Sequence, residues 1–239
     1  MSETTVVLVH GAFADASSWN GVIELLQKQG LGVTAPANPL RGIAYDSAYT
    51  ASFLEQIPGK VLAVGHSYGG AVITNAAAEA ENVVGLVYVA AFAPDEGETL
   101  GQVEGGSKDS VLGSAQLELQ YPTTAGTAAE VAIDPEKFHD AFAADLPISQ
   151  TALMAATQRP VAAAAFSEPT TAVAWKRLPS WAVVATGDRA AGTDVTRAQA
   201  TRAGAKITEI EGSHVIMISQ PQTVADVIMD ALASVGATQ

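Results

Sequence analysis

One serine of this chain lies in a sequence motif in which serine can act as a covalent nucleophile. Ser67 belongs to the segment Gly65-His66-Ser67-Tyr68-Gly69-Gly70, which fits the pattern G-x-S-x-G and follows the apolar run 61–64. A serine on a sharp turn between a strand and a helix crowds its neighbours two residues away, and only small residues fit there. The amides at the start of the helix favour negative charge beside the serine. The pattern predicts Ser67 as a nucleophile, and a glycine-rich turn with an inert serine is the alternative.

A serine nucleophile needs a general base, and the chain offers four histidines. Imidazole suits the task because it takes up and releases a proton near pH 6.5. His10 and His66 lie inside two turn motifs, where we expect them to orient the backbone, and His139 suits a surface or packing role. His214, in Glu211-Gly212-Ser213-His214 just past the last predicted strand, is the predicted base.

The carboxylate that fixes the tautomer of the base is expected one strand earlier. Asp188 fits this position because its segment, Thr186-Gly187-Asp188, comes directly after the apolar run 183–185. Asp194 is the main rival, although its place before Val195 and Thr196 favours a helix N-cap. Asp95, just past the fourth predicted strand, is a third candidate. We therefore prefer Asp188 and leave Asp194 open.

Ester hydrolysis places negative charge on a carbonyl oxygen, which fixed backbone amides can stabilise. The segment His10-Gly11-Ala12-Phe13 directly follows the first predicted strand, and its glycine lets the chain turn above the sheet. The amides of Ala12 and Tyr68 are the predicted donors of this oxyanion hole, with the amide of Phe13 as an alternative to that of Ala12. An ordinary turn from strand to loop would explain the first segment equally well.

Composition excludes several classes of function. The chain has 239 residues, 12 Lys and Arg against 25 Asp and Glu, a formal net charge of −13 and no Cys. Such an acidic chain is repelled by phosphate backbones, so we expect no nucleic-acid partner. The lack of cysteine excludes disulfides, zinc–thiolate sites and a cysteine nucleophile. The 48% hydrophobic content excludes a disordered chain, and the length suits one large α/β domain.

The N-terminal residues predict no targeting signal. Met1-Ser2-Glu3-Thr4-Thr5 has no basic region, and the apolar run 6–9 is too short for the core of a signal peptide. No stretch of the chain approaches the roughly 18 apolar residues of a membrane helix. We therefore expect a cytoplasmic protein without a membrane partner. The predicted chemistry requires no metal and no organic cofactor.

Short β-branched runs that alternate with alanine-rich stretches predict a mostly parallel sheet with helices on both faces. The predicted strands are 6–9, 32–35, 61–64, 83–90, 181–185 and 206–210, and the predicted helices are 19–29, 47–56, 70–80, 194–203 and 222–235. Right-handed crossovers bring the carboxyl ends of all these strands to one edge of the sheet. The candidate nucleophile, base and acid each follow a strand and should meet at that edge.

The alternation stops between residues 94 and 178, where no clear strand is found. Residues 101–113 have the composition of a loop, and short helices are predicted at 135–144 and 149–158. We therefore predict a core of residues 1–93 and 179–239 with an inserted helical cap at 94–178. Apolar side chains of core and cap predict a substrate pocket, although cap–core packing would also explain them: Phe13, Phe138, Phe142, Leu146, Met154, Trp175 and Val215.

With these motifs in view, the chain resembles the α/β-hydrolase superfamily over nearly its whole length. It is most similar to the branch of plant methylesterases, hydroxynitrile lyases and small bacterial esterases. The resemblance is carried by residues 7–12, Trp19, 64–70 and 212–221, and the cap is the part least matched. It implies the α/β-hydrolase fold with a lid after the fourth strand seen here. It also implies the catalytic triad and the oxyanion amides: Ser67, Asp188, His214, Ala12 and Tyr68.

Three features depart from this branch. Hydroxynitrile lyases of the branch carry a lysine where this chain has Val215 and a threonine where it has Gly11. Both differences disfavour lyase chemistry and favour hydrolysis. Residues 189–194 also lack the proline-containing turn expected of relatives.

The sequence as a whole predicts a serine carboxylester hydrolase that acts on small to medium apolar esters through an acyl-enzyme intermediate. One alternative is other chemistry on the same triad, namely perhydrolysis or the hydrolysis of C–C or amide bonds. Another is a small-ligand binding protein on a hydrolase scaffold, because a fold does not determine a function. The expected partner in each case is a small molecule, and the oligomeric state is not predicted.

Overall fold

The computed structural model describes residues 4–236 of the chain. Its strands form two separate sheets, and in chain order they are β1 (Thr5–Val9), β2 (Val33–Thr34), β3 (Val61–His66), β4 (Val83–Val89), β5 (Gln116–Thr123), β6 (Gly126–Ile133), β7 (Val161–Ala162), β8 (Ser180–Ala185) and β9 (Lys206–Ile210). The larger sheet has the order β2-β1-β3-β4-β8-β9 with parallel neighbours throughout. The smaller sheet has the order β5-β6-β7 and is antiparallel.

Helices lie around the larger sheet and within the segment that joins β4 to β8. In chain order they are α1 (Asn20–Lys28), α2 (Ile43–Glu55), α3 (Tyr68–Glu79), α4 (Leu100–Gly105), α5 (Leu112–Ala115), α6 (Phe138–Phe142), α7 (Ile148–Thr157), α8 (Ala164–Ser167), α9 (Thr193–Arg202), α10 (Ile216–Ser219) and α11 (Pro221–Gly236). Short 3-10 turns occur at Ala16–Trp19 and Ala174–Lys176. Within residues 4–236, no helix combines the length and apolar composition that a membrane span requires.

The central strands of the larger sheet are apolar without alternation because helices cover both faces. Every residue of β3 is buried, and Leu8, Val64 and Val87 on three adjacent strands are fully buried. Burying a side chain of this size stabilises the fold by about 1.5–3 kcal/mol. The predicted parallel sheet with flanking helices is therefore confirmed, and all six predicted strands are present.

The helix α2 begins four residues before its predicted start at residue 47. Its first turn is stabilised by a residue that is distant in sequence, because the Glu168 carboxylate accepts a hydrogen bond from the Ala44 amide at 3.0 Å. A carboxylate at a helix N-terminus satisfies a free amide and interacts favourably with the helix dipole. No local pattern in residues 43–46 signals this contact.

The prediction that residues 94–178, here called the inserted segment, contain no clear strand is wrong. The strands β5 and β6 form a hairpin of eight residues on each side, and β7 adds two more residues to its sheet. Most of the hairpin is exposed, including Leu117 and Leu119 at 41% each, and its buried apolar residues lie together at the end of β6, Val131–Ile133. Its second strand is rich in alanine, which has a low β-propensity.

The prediction of a loop at 101–113 is also wrong in part, because α4 occupies the beginning of this range and α5 starts at its end. The two helices predicted in the inserted segment, at 135–144 and 149–158, are present as α6 and α7. The segment is thus mixed in structure rather than purely helical.

Candidate active site

Ser67 lies on a strained turn between β3 and α3. Its backbone has φ 52° and ψ −124°, a region that costs a residue other than glycine about 1–3 kcal/mol. A Cβ atom at Gly65 would lie 2.5 Å from the Gly69 carbonyl oxygen, and one at Gly69 would collide with the carbonyl oxygen of Val9. Both glycines are therefore needed for the turn that presents Ser67 at the end of its strand.

His214 and Asp188 form a buried pair beside this turn. The His214 Nδ1 atom lies 2.8 Å from Asp188 Oδ2, and the two side chains are 1% and 0% exposed. The second carboxylate oxygen, Oδ1, accepts hydrogen bonds from the amides of Ala190 and Ala191 at 2.9 and 3.0 Å. The carboxylate is therefore held in place from both sides. Because Nδ1 is engaged by Asp188, Nε2 is the nitrogen of His214 that can exchange a proton with a hydroxyl group.

His66 fixes the backbone that carries His214. Its Nε2 atom lies 3.0 Å from the His214 carbonyl oxygen, and the rings of the two histidines are 4.7 Å apart. Burial lowers the pKa of His66 well below its ordinary value, so the ring is neutral and donates through Nε2. Trp19 packs edge-on against it at 6.3 Å. These contacts give His66 the backbone-orienting position that the sequence predicts for it.

The turn after β1 passes directly beside Ser67. A Cβ atom at Gly11 would lie 2.7 Å from the Ser67 Cβ atom, so a larger residue there would push the two segments apart. His10 holds the turn through both ring nitrogens, since Nδ1 donates to the Gly11 carbonyl oxygen and Nε2 accepts from the Asn38 amide, each at 2.9 Å. Burial lowers the pKa of His10 to about 4, which keeps the ring neutral near pH 7.

Tyr68 begins α3 directly after Ser67, and its side chain is tied to a buried carboxylate that sequence reasoning missed. The Tyr68 hydroxyl donates to Asp46 Oδ2 at 2.7 Å, and Asp46 also accepts from the Arg41 amide at 3.0 Å. Burial raises the pKa of Asp46 and raises the pKa of Tyr68 well above its ordinary value. The contact holds the first residue of α3, and thus the backbone amide next to Ser67, in one position.

A cavity of about 10 Å³ lies over Ser67 and His214. This volume is close to that of one water position, and the walls are almost entirely apolar. They are formed by Ala12, Phe13, Ser67, Tyr68, Phe92, Leu100, Leu112, Phe142, Phe166, Ala190, Ala191 and His214. The two turns that follow β1 and β3, the loop after β8 and the inserted segment all contribute to this small enclosed space.

Of the side chains predicted to form a pocket, only some reach this cavity. Phe13 and Phe142 line it, and the Phe142 ring lies 5.0 Å from the His214 ring. Phe138 packs behind Phe142 at 5.0 Å, while Trp175 donates its ring N–H to the Pro94 carbonyl oxygen at 3.0 Å and is not among the walls. Leu146, Met154 and Val215 are not among the walls either. The sequence missed the walls Phe92, Leu100, Leu112, Phe166, Ala190 and Ala191.

The other acidic candidates occupy structural positions. Asp194 lies in the first turn of α9 rather than at its N-cap, and its carboxylate accepts hydrogen bonds from the Ser107 hydroxyl at 2.6 Å and the Lys108 amide at 2.8 Å. Asp95 forms an ion pair of 2.5 Å with Lys176. Neither carboxylate contacts His214, so the geometry favours Asp188.

One residue of the inserted segment contacts the loop that leads to His214. Asp145 accepts hydrogen bonds from the Ser213 amide at 2.9 Å and from the Ser213 hydroxyl at 2.5 Å. Hydrogen bonds from Ser213 hold the pKa of Asp145 below its ordinary value against the opposing effect of burial, which is the largest single influence. Sequence reasoning did not find Asp145, because an isolated aspartate in a loop carries no pattern.

Comparison with known proteins gives a family and a fold. A sequence model described as the alpha/beta hydrolase family matches residues 6–227. A search of curated proteins finds no match.

Several solved structures are similar over almost the whole chain. Polyneuridine aldehyde esterase is 22% identical, with 96% of this chain and 99% of that chain covered and a TM-score of 0.82. A methylesterase from Arabidopsis is 20% identical, with coverage of 96% and 99% and a TM-score of 0.78. A variant of tomato methylketone synthase I complexed with beta-ketoheptanoate is 22% identical, with coverage of 98% and 100% and a TM-score of 0.80. At these identities the similarity shows a shared fold.

Proposed function

Because the chain belongs to the alpha/beta hydrolase family, we propose that it is a serine carboxylester hydrolase with Ser67, His214 and Asp188 as its triad. The observation that carries this proposal is the buried contact of 2.8 Å between His214 and Asp188 beside the strained Ser67 turn. A buried carboxylate that engages one imidazole nitrogen leaves the other as a base, and Ser67, which follows β3 at the same edge of the sheet, is the group it would serve.

The reaction follows from these roles. The Ser67 Oγ atom attacks the ester carbonyl carbon while His214 Nε2 takes up its proton, and Asp188 stabilises the imidazolium that results. The alcohol leaves when the C–O bond breaks and receives the proton from His214. A water molecule, deprotonated by His214, then attacks the acyl-enzyme, and the carboxylic acid leaves as Ser67 regains its proton.

The amides of Ala12 and Tyr68 are the proposed donors to the oxyanion. The close approach of Gly11 to Ser67 brings the first turn beside the second, and His10 and Asp46 hold the two turns through buried hydrogen bonds. Donors that are already fixed stabilise the developing charge without reorganisation, which is where much of the rate enhancement of such enzymes arises.

The proposed substrates are small to medium apolar esters, and residues 94–178 act as the cap over them. The walls of the cavity carry no charged side chain apart from the His214 ring when it is protonated. An apolar cavity stabilises uncharged groups and penalises an unpaired charge. The net charge of −13 further disfavours anionic esters at low salt.

Covalent labelling with a fluorophosphonate tests the proposal. The wild-type protein should lose hydrolysis of short p-nitrophenyl esters as it gains one adduct on the peptide that carries Ser67. Ser67→Ala should show neither labelling nor turnover, whereas Ser114→Ala, which changes an exposed serine, should behave like the wild type. Full activity of Ser67→Ala would overturn the proposal. Turnover of no ester in a broad panel, together with tight binding of a neutral ligand, would point to a binding protein instead.

A further inference from the structure

A second pocket lies against the other side of one active-site wall. It has a volume of about 340 Å³ and lies between the loop after β1, the start of α1 and the helix α7. Phe13 lines both this pocket and the small cavity over Ser67. The Phe13 side chain therefore lies between the cavity over Ser67 and a second pocket that is more than ten times as large as that cavity.

The cavity over Ser67 cannot hold an ester in the conformation seen. Its volume of about 10 Å³ is that of one water position, whereas ligand sites commonly measure about 300–1,000 Å³. The second pocket is within that range. Phe13 is 4% exposed and packs edge-on against Phe142 at 6.1 Å, and Phe142 in turn contacts His214. Rotation of the Phe13 ring away from Phe142 would open one space into the other.

The lining of the second pocket indicates what it can bind. Phe13, Met154 and Ile218 supply apolar surface, while Asn20 and Gln150 supply amide groups that make no side-chain hydrogen bond to other residues in the described range 4–236. No lysine or arginine is among its walls, and the acidic side chain present is Asp15, whose pKa is lowered by hydrogen bonds from Ser17. Such a surface favours an uncharged group that has an apolar ring and an oxygen atom, and it disfavours an anion.

We propose that this pocket is a substrate subsite that holds the larger, uncharged portion of the ester, with Phe13 as the movable partition between subsite and triad. The proposal rests on the proposed function, because it assigns the subsite to a reaction at Ser67. It also makes Phe13 a specificity-determining residue, since its ring lines both the subsite and the cavity over Ser67.

Two tryptophan substitutions on one helix test the subsite. Gln150 lines the pocket from α7, so Gln150→Trp should fill it, whereas Leu153 is 69% exposed on the same helix and is not among the walls. Hydrolysis is followed for vinyl acetate, vinyl 4-phenylbutyrate and 4-phenylbutyl acetate. Gln150→Trp should lower kcat/KM for one of the two large esters, mainly through KM, by a factor at least tenfold greater than for vinyl acetate. Leu153→Trp should match the wild type on all three.

The affected ester shows whether the acyl or the alcohol portion occupies the pocket. A second variant, Phe13→Ala, should raise kcat/KM for that same ester relative to vinyl acetate. If Gln150→Trp hydrolyses both large esters as the wild type does, the subsite proposal is wrong while the esterase proposal stands. Absence of vinyl acetate turnover and of Ser67 labelling in the wild type would instead overturn the proposed function.

Discussion

The sheet edge and the inserted segment bring side chains to the same place by different means. Ser67, Asp188 and His214 each follow a strand of the parallel sheet, and backbone hydrogen bonds fix the positions of those strand ends. The inserted segment reaches the same edge through individual side chains, among them Phe142 against His214 and Asp145 against Ser213. The positions of the residues at the sheet edge are therefore determined by the fold as a whole. The position of the inserted segment over them depends on single contacts that can be removed one at a time.

This difference predicts how substitutions should act in the two regions. A change at the sheet edge should abolish chemistry with little change in substrate preference. A change in the inserted segment should alter preference, stability or the alignment of His214 by modest amounts.

The largest effect is expected at the acid of the triad. Asp188→Asn should lower kcat about 10⁴-fold, because the amide cannot hold the productive tautomer of His214 or stabilise its imidazolium form. Steady-state kinetics with a short p-nitrophenyl ester measure the loss.

Asp194→Asn is the matched control, since Asp194 binds Ser107 and Lys108 of the inserted segment instead of His214. It should change kcat less than threefold and lower the Tm by a few degrees, because it weakens contacts between α9 and that segment. A loss of kcat in Asp194→Asn with an active Asp188→Asn would reassign the acid.

The contrast between the two regions also explains how much the sequence could reveal. The motifs around Ser67, Asp188 and His214 are local, because each role depends on a strand end and the two or three residues after it. The walls contributed by Leu100, Leu112 and Phe166 belong to short helices without clear periodicity, and only the tertiary structure brings them over Ser67. No spacing rule within the chain predicts such a meeting.

Single long-range polar contacts were missed for the same reason. Asp46 and Asp145 lie 22 and 68 residues from their partners Tyr68 and Ser213 in the chain. Nothing in the residues next to them in the chain signals these contacts. The hairpin of β5 and β6 was missed because its exposed strands bury little apolar surface against the core.

A second prediction concerns His10, which joins the two regions. Its Nε2 atom accepts from the Asn38 amide and lies 3.4 Å from the Arg159 guanidinium of the inserted segment. Protonation would remove the acceptor and place two positive charges together. The pKa of His10 falls from 6.5 to about 4 on folding, so between these values the unfolded chain binds more protons and stability decreases as the pH falls.

The shift of His10 corresponds to about 3 kcal/mol of unfolding free energy lost between pH 7 and pH 4. Urea unfolding at a series of pH values measures this change in the wild type and in His10→Gln, which does not titrate. The wild type should lose about 3 kcal/mol more than the variant over this range. Since His66 and the carboxylates titrate in both proteins, equal losses would show that folding does not lower the pKa of His10.

The smallest effect is expected at Asp145, where the inserted segment contacts the sheet edge through one carboxylate. Asp145→Ala removes the acceptor of the Ser213 amide and hydroxyl, and the loop that leads to His214 then has more freedom. A positioning residue of this kind should affect kcat more than KM, and we expect a decrease of kcat of about tenfold, or about 1.4 kcal/mol. Because the Asp188 contact remains, the pH profile of kcat should keep its shape.

Asp140→Ala is the matched control for this change, because Asp140 is an exposed aspartate on the nearby helix α6. It should leave kcat, KM and the free energy of unfolding within about 0.5 kcal/mol of the wild type, as most surface substitutions do. Asp145→Asn keeps one oxygen acceptor for Ser213 and should recover part of the lost kcat. If Asp145→Ala lowered kcat as much as Asp188→Asn does, the inserted segment would share in positioning the triad. The proposed difference between the sheet edge and the inserted segment would then be wrong for this contact.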